Sequence, residues 1–179
     1  MSPLEILKFL YDMVVYVVLL RFLLQLVRAD FFNPLSQFVV KVTQPVLTPL
    51  RRVIPSLGGI DLSSLLLYLV LVALGMFLFG GGRSLLGIAL MLPFEATVMV
   101  VNLLIFLIFV SVLLSWIDPY RQQPIQKPLT QLTEPVVRPI RRLVPPIGGF
   151  DLSPIFAFLA LNLLKWVIFQ AQYAFLSAL

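Results

Sequence analysis

Two arginine pairs stand in the same setting: Arg51-Arg52 lie shortly before Asp61, and Arg141-Arg142 lie at the same interval before Asp151. A guanidinium is a planar fork of donors, so adjacent arginines suit two-pronged recognition of phosphate or carboxylate oxygens, and an aspartate within reach would hold one fork in place. The chemistry this predicts is docking of an anionic lipid headgroup or a partner protein. The plainer role for the same residues is anchoring at the headgroup layer, where each basic side chain is worth about 1 kcal/mol beside anionic lipid.

A second set of charges is scattered through apolar stretches: Asp12, Arg21, Glu95 and Lys165. Arg21 shares a helical face with Gln25 and Arg28 and lies within snorkelling reach of an interface, which predicts an anchor. Lys165, eleven residues beyond Pro154, would sit about 16 Å deep, where an unpaired lysine costs about 2.5 to 3.5 kcal/mol. A partner is therefore expected, either Asp12 or Glu95. Asn162, Lys165, Phe169 and Gln172 fall on one face, and Glu95, Asn102 and Phe106 on another, so these faces are expected to meet. The result would be a structural ion pair, or else a path for ions or protons. Ser111 and Ser115, one turn apart, suit close helix packing.

The chain lacks both histidine and cysteine, which removes imidazole bases, thiolate nucleophiles, disulfides and the ligands most metals and haems require. No metal or other cofactor is expected. No nucleophile and base stand in a recognisable arrangement, so an enzyme is not expected either.

The elements that must position these residues are hydrophobic. Of 179 residues 60% are apolar and only 12% charged, and the mean hydropathy of +1.04 is that of a membrane protein. The net charge of +5 suits cytoplasmic loops better than nucleic acid, which is not an expected partner. The first residues lack a basic segment ahead of a cleavage site, so a retained helix is expected there. Residues 4–27, 62–79, 94–117 and 154–173 each have about the 20 mainly apolar residues a crossing needs, predicting an all-α polytopic bundle of four transmembrane helices. Residues 83–93, too short to cross and closed by Pro93, predict an interfacial or re-entrant turn.

The segments between the first two and the last two spans are copies of one another. "TQPVLTPLRRVIPSLGGIDLSS" from Thr43 and "TEPVVRPIRRLVPPIGGFDLSP" from Thr133 agree at 12 of 22 positions, ninety residues apart. This is internal duplication, predicting two parallel repeats, residues 1–82 and 83–179. Asn33 before Pro34 predicts an N-cap with proline at the first helical position, and Thr43 and Thr48 offer further capping oxygens. Pro45, Pro49 and Pro55, and Pro135, Pro139 and Pro145, predict interrupted short helices, not one long one. Leu50, Val53, Ile54 and Leu57 recur at helical spacing, as do Ile140, Leu143, Val144 and Ile147, predicting short amphipathic helices in the headgroup layer. Gly58-Gly59 and Gly148-Gly149 then reverse the chain, and the Asp-Leu-Ser that follows opens the next span.

Lysines and arginines gather in the two motif loops, which places both in the cytoplasm and both termini on the opposite side. The duplicated P-x3-P-x-R-R-x2-P-x2-G-G-x-D-L-S element resembles that of the YggT family of bacterial inner-membrane proteins, also called YlmG, which has chloroplast relatives. The resemblance covers nearly the whole chain. It implies roles in osmotic and potassium tolerance, in cell division or envelope biogenesis and, for plastid relatives, in haem attachment, which without histidine or cysteine would be indirect here. It brings no catalytic residue. The expected function is a non-enzymatic inner-membrane scaffold or assembly factor whose basic loops dock anionic lipid or an inner-membrane protein complex; homo-oligomerisation is compatible with it. The rival expectation is a subunit of a small channel or transporter.

Overall fold

The computed structural model describes residues 2–118, 123–144 and 151–177. Among them are six helices: α1 (Pro3–Leu26), α2 (Pro34–Val53), α3 (Leu62–Phe79), α4 (Leu85–Ile117), α5 (Gln126–Leu143) and α6 (Ser153–Ser177). The expected all-α class holds. Each half comprises two helices packed together, α1 on α3 and α4 on α6, with a third helix, α2 or α5, packed against both members of its pair. The halves join through α3 on α4, with α1 also reaching α4 and α5.

Three helices, α3, α4 and α6, are long and apolar enough to cross a membrane; four were expected. The exception is α1. At 24 residues it is about 36 Å long, but it carries Glu5, Lys8, Asp12 and Arg21, each costly in hydrocarbon. Its start is fixed by a capping box, the Ser2 N–H donating to Glu5 and the Glu5 N–H to the Ser2 hydroxyl, with Pro3 at the first position.

The prolines do not interrupt α2. It runs unbroken for 20 residues with Pro45 and Pro49 inside it, and α5 runs for 18 with Pro135 and Pro139 inside. The two prolines of each helix are four apart, so the carbonyls they leave unbonded fall on one side. All four prolines lie on exposed faces, where those carbonyls can be solvated. Asn33 does cap α2, accepting from the Leu35 N–H at 2.9 Å. Thr43 and Thr48 cap nothing; their hydroxyls donate to the Val39 and Gln44 carbonyls four residues back. The buried stripe of α2 is Ser36, Val39, Thr43 and Leu47; of the apolar positions from Leu50 on, Leu50 and Val53 lie in the last turn, Ile54 is the C-cap and Leu57 lies beyond the helix, with Val53 and Leu57 exposed.

Residues 85–93 also depart from expectation. They are the opening turns of α4, which continues through Pro93 for 33 residues with Ser84 as its N-cap, accepting from the Gly87 N–H. Proline is tolerated this early because most of the helix lies beyond it and the single lost bond is outweighed by packing; Ile88 and Met91, just before it, are buried in the core.

The main core lies where the halves meet. Val15, Leu19 and Leu24 of α1 pack with Tyr68 and Val72 of α3 and Ala96, Leu103 and Leu107 of α4. Two hydroxyls lock it: Tyr11 donates to the Leu71 carbonyl and Tyr68 to the Ala96 carbonyl, both at 2.6 Å. The outward faces of α1, α3 and α6 expose large apolar side chains such as Leu7, Phe77, Leu163 and Trp166, as suits lipid contact.

Candidate functional site

The paired arginines divide into one that is held and one that is free. Arg51 and Arg52 occupy the last turn of α2, and Arg141 and Arg142 that of α5, where cations meet the negative end of the helix dipole. Arg51 forms an ion pair with Asp61. Arg141 bonds Asp151 at 2.9 Å and Glu134 at 3.0 Å. Arg52 and Arg142 are exposed, and neither meets a carboxylate among the described residues.

Both aspartates serve their helices as well. Asp61 is the N-cap of α3 and accepts from the Ser64 N–H; Asp151 accepts from the Ser153 N–H at the start of α6. Burial alone would raise the Asp61 carboxyl, but the Arg51 guanidinium and Ser64 outweigh it and hold it below the usual carboxylate range. Asp151 is also lowered: burial opposes, while Ser153 and Arg141 prevail. Between Arg51 and Asp61, Gly58 and Gly59 adopt φ of +60° and +83°, the left-handed region that makes glycine the suitable residue for this reversal. Pro55 follows the end of α2 and is exposed. Pro145, Gly148 and Gly149 lie outside the described residues.

The two motif segments touch near their starts. Asn33 donates to the Pro124 carbonyl, Lys127 pairs with Asp30 at 2.7 Å, and the Gln131 side chain accepts from the Asp30 N–H. The arginine pairs lie at the other ends of their helices, each bound to its own repeat.

The expected partners of Lys165 are not its partners. Lys165 donates to the Asn102 side chain at 3.3 Å, while Asp12 pairs with Lys8 at 2.6 Å and Glu95 stands 4.0 Å from Arg83. The reason is packing: α6 lies on α4 and α5, whereas α1 lies on α3, and Glu95 is two turns along α4 from Asn102. The polar faces of α4 and α6 do meet there, with Gln172 also reaching Met91, but Phe106 and Phe169 point outward. Ser111 and Ser115 line a cavity between α4, α5 and the start of α6.

Arg21 is enclosed by protein. The residue is only 6% exposed, with the guanidinium carbon 5.3 Å from the centre of the Phe31 ring. It lines a cleft of about 1150 Å³ between α1, α2 and the cap of α3, together with Gln25, Lys41, Gln44, Arg51 and Asp61. Its Nε and Nη1 are buried with no hydrogen-bond partner among the described residues, at a cost of about 1 to 3 kcal/mol for each orphaned donor. Depth along α1 alone pointed to the interface, but α2 folds back over this face. The available signal was the polar line Gln37, Lys41, Gln44 on α2, at the spacing of one helical face opposite Arg21 and Gln25.

The duplicated frame on which all of this is built has a known counterpart. The profile of the CCB3/YggT family matches the chain twice, over residues 2–81 and 91–172. The chain belongs to the CCB3/YggT family. Two matched segments in one chain agree with the internal repeat. Among CCB3/YggT relatives, an uncharacterized protein of Pseudomonas aeruginosa is 46% identical over 176 residues, 93% of this chain and 88% of its own. The uncharacterized protein YggT of Escherichia coli K12 is 40% identical over 166 residues, 92% of this chain and 86% of its own. A shorter match, 43% over 56 residues, covers 31% of this chain and 22% of the chloroplastic YlmG homolog protein 2 of Arabidopsis thaliana. No solved structure matches the chain.

Proposed function

We propose that this protein is a non-enzymatic scaffold or assembly factor of the bacterial inner membrane, docking anionic lipid or a partner protein at the ends of α2 and α5 and contributing to envelope or osmotic homeostasis. In this reading α1 is a fourth crossing, its charges met inside the bundle or at its ends, and α2 and α5 are amphipathic helices on the cytoplasmic side, opposite both termini. The observation that carries it is the division of labour within each arginine pair. Arg51 and Arg141 are held by aspartates, which fixes the turn, while Arg52 and Arg142 are left exposed beside them. A held arginine beside a free one, repeated in both halves, supports presentation of a charge outward over mere retention of charge.

The test compares the tagged protein, purified from membranes, with an Arg52→Gln/Arg142→Gln variant inserted to the same level. A protein or anionic lipid retained by the native form and lost from the variant is the expected result. Identical co-purifying profiles would reduce these arginines to topology anchors.

A second reading, a subunit of a small channel or transporter, draws on Lys165. This lysine meets a neutral asparagine and no acid among the described residues, and intramembrane charges often mark ion paths. Conductance from purified protein in liposomes, abolished by Lys165→Ala, would favour it over the scaffold.

A further inference from the structure

Duplication supplies an internal control for the cleft around Arg21. Ninety residues on, the counterparts of Arg21, Lys41, Gln44, Arg51 and Asp61 are Ser111, Gln131, Glu134, Arg141 and Asp151. Four of these, Ser111, Glu134, Arg141 and Asp151, line the corresponding cavity of the second half, about 510 Å³. There one arginine faces two carboxylates, a balance of −1, and Arg141 bonds both of them. In the first half Arg21, Lys41 and Arg51 face Asp61 alone, a balance of +2, and that aspartate is occupied by Arg51. The frame is shared, and the charge has been inverted on one copy only.

We propose that the first-half cleft binds a phosphate group, presented in the membrane by the headgroup of an anionic phospholipid. Arg21 is its floor. A residue that is 6% exposed, with its Nε and Nη1 unpartnered and a second arginine and a lysine around it, has no counter-anion of its own among the described residues, and burial makes that lack expensive. The cleft is large enough for a headgroup, and Gln25 and Gln44 add neutral donors beside the cations. Arg21 lies five residues from the end of α1, about 8 Å of helix rise, which is the depth of a phosphate and glycerol layer and not of the hydrocarbon centre. This rests on the docking reading above and narrows it to one half of the molecule, on residues other than Arg52 and Arg142.

The experiment is native mass spectrometry of the full chain released from nanodiscs of mixed phosphatidylglycerol and phosphatidylcholine. The wild type is expected to retain one phosphatidylglycerol in preference to phosphatidylcholine. Arg21→Gln should weaken that retention about tenfold to a hundredfold, the range of a lost charge-assisted hydrogen bond; Arg21→Lys should weaken it less, and Lys8→Gln, at an exposed cation near the other end of α1, should leave it unchanged. Should Arg21→Gln fail to insert, Lys41→Gln on the exposed side of α2 reports on the same cleft and should also weaken retention. In lipid-stripped protein, a thermal shift with inorganic phosphate that Arg21→Gln or Lys41→Gln abolishes, without selective lipid retention, would assign the cleft to a soluble phosphate. Equal phosphatidylglycerol retention by the wild type and a folded cleft variant, with no phosphate response, overturns the assignment. If retention falls only in Arg52→Gln/Arg142→Gln, the cleft is excluded while the wider docking reading survives.

Discussion

Arg51 and Asp61 tie the last turn of α2 to the first turn of α3, closing a ten-residue loop with an aspartate side chain that is 3% exposed and an arginine side chain that is 33% exposed. One aspartate thus caps a helix, fixes a glycine reversal and neutralises the arginine nearest the Arg21 cleft.

Removing that carboxylate leaves two arginines facing each other across the cleft wall. Asp61→Asn is expected to destabilise the protein by about 2 to 3 kcal/mol, somewhat less than a fully buried pair because Arg51 keeps partial access to solvent. Asp151→Asn should cost about 1 kcal/mol or less, since both partners there are more than a third exposed. Thermal unfolding of the variants in one detergent provides the comparison, and equal losses would contradict it.

The same pair sets a pH limit. The Asp61 carboxyl lies lower in the folded protein than in an unfolded chain, so its stabilising contribution is complete above the unfolded value of about 3.9 and is lost as pH falls through the folded value. The melting temperature should therefore change little on this account from pH 8 to 5 and fall below about pH 4. Asp61→Asn should start lower and lose less over that acid range. A variant that tracks the wild type throughout would show that other groups govern acid unfolding.

Lys165 and Asn102 should respond unequally. Lys165→Met replaces a half-buried cation whose partner among the described residues is the neutral Asn102, and is expected to insert and fold at wild-type levels. Asn102→Leu strips Lys165 of its acceptor and should cost about 1 to 2 kcal/mol. Membrane yield and thermal stability of the two variants decide it; a collapse in Lys165→Met would mean that the charge itself organises the bundle.

Gly75 of α3 faces the Tyr11 ring of α1. A Cβ there would lie 2.8 Å from Cε1 of Tyr11, the ring whose hydroxyl donates to the Leu71 carbonyl. Gly75→Ala should displace that ring and cost about 1 to 3 kcal/mol, although alanine is the better helix former. A stabilised variant, scored by the same unfolding assay, would show that Tyr11 moves aside freely.

Local grammar was legible in the sequence: the Asn33-Pro34 start, the glycine reversal at 58 and 59, and the aspartate that opens α3 all depend on neighbouring residues. What misled was arithmetic applied one residue at a time. Prolines counted singly implied broken helices, but Pro45 and Pro49 share a face, so their costs fall on carbonyls that remain accessible. Depth along α1 implied an outward-facing Arg21, and depth along α6 implied an acidic partner for Lys165; both ignored which neighbour lies across the helix. The contrast of Arg21 with Ser111 and of Gln44 with Glu134 was available in the duplicated sequence, and it separates the two clefts before any packing is known.

The length of α4 bears on the lipid around the protein. At 33 residues it measures about 50 Å, and α3 at 18 residues about 27 Å, against a hydrocarbon core of about 30 Å. These two rods are packed side by side, so no single bilayer thickness matches both. Tilt would shorten the projection of α4 but also that of its neighbour, and hydrophobic mismatch persists along the seam between the repeats. Either the membrane thickens there, making the seam a fixed site of bilayer deformation, or the first turns of α4 stand clear of it as a rigid post beside the bilayer surface.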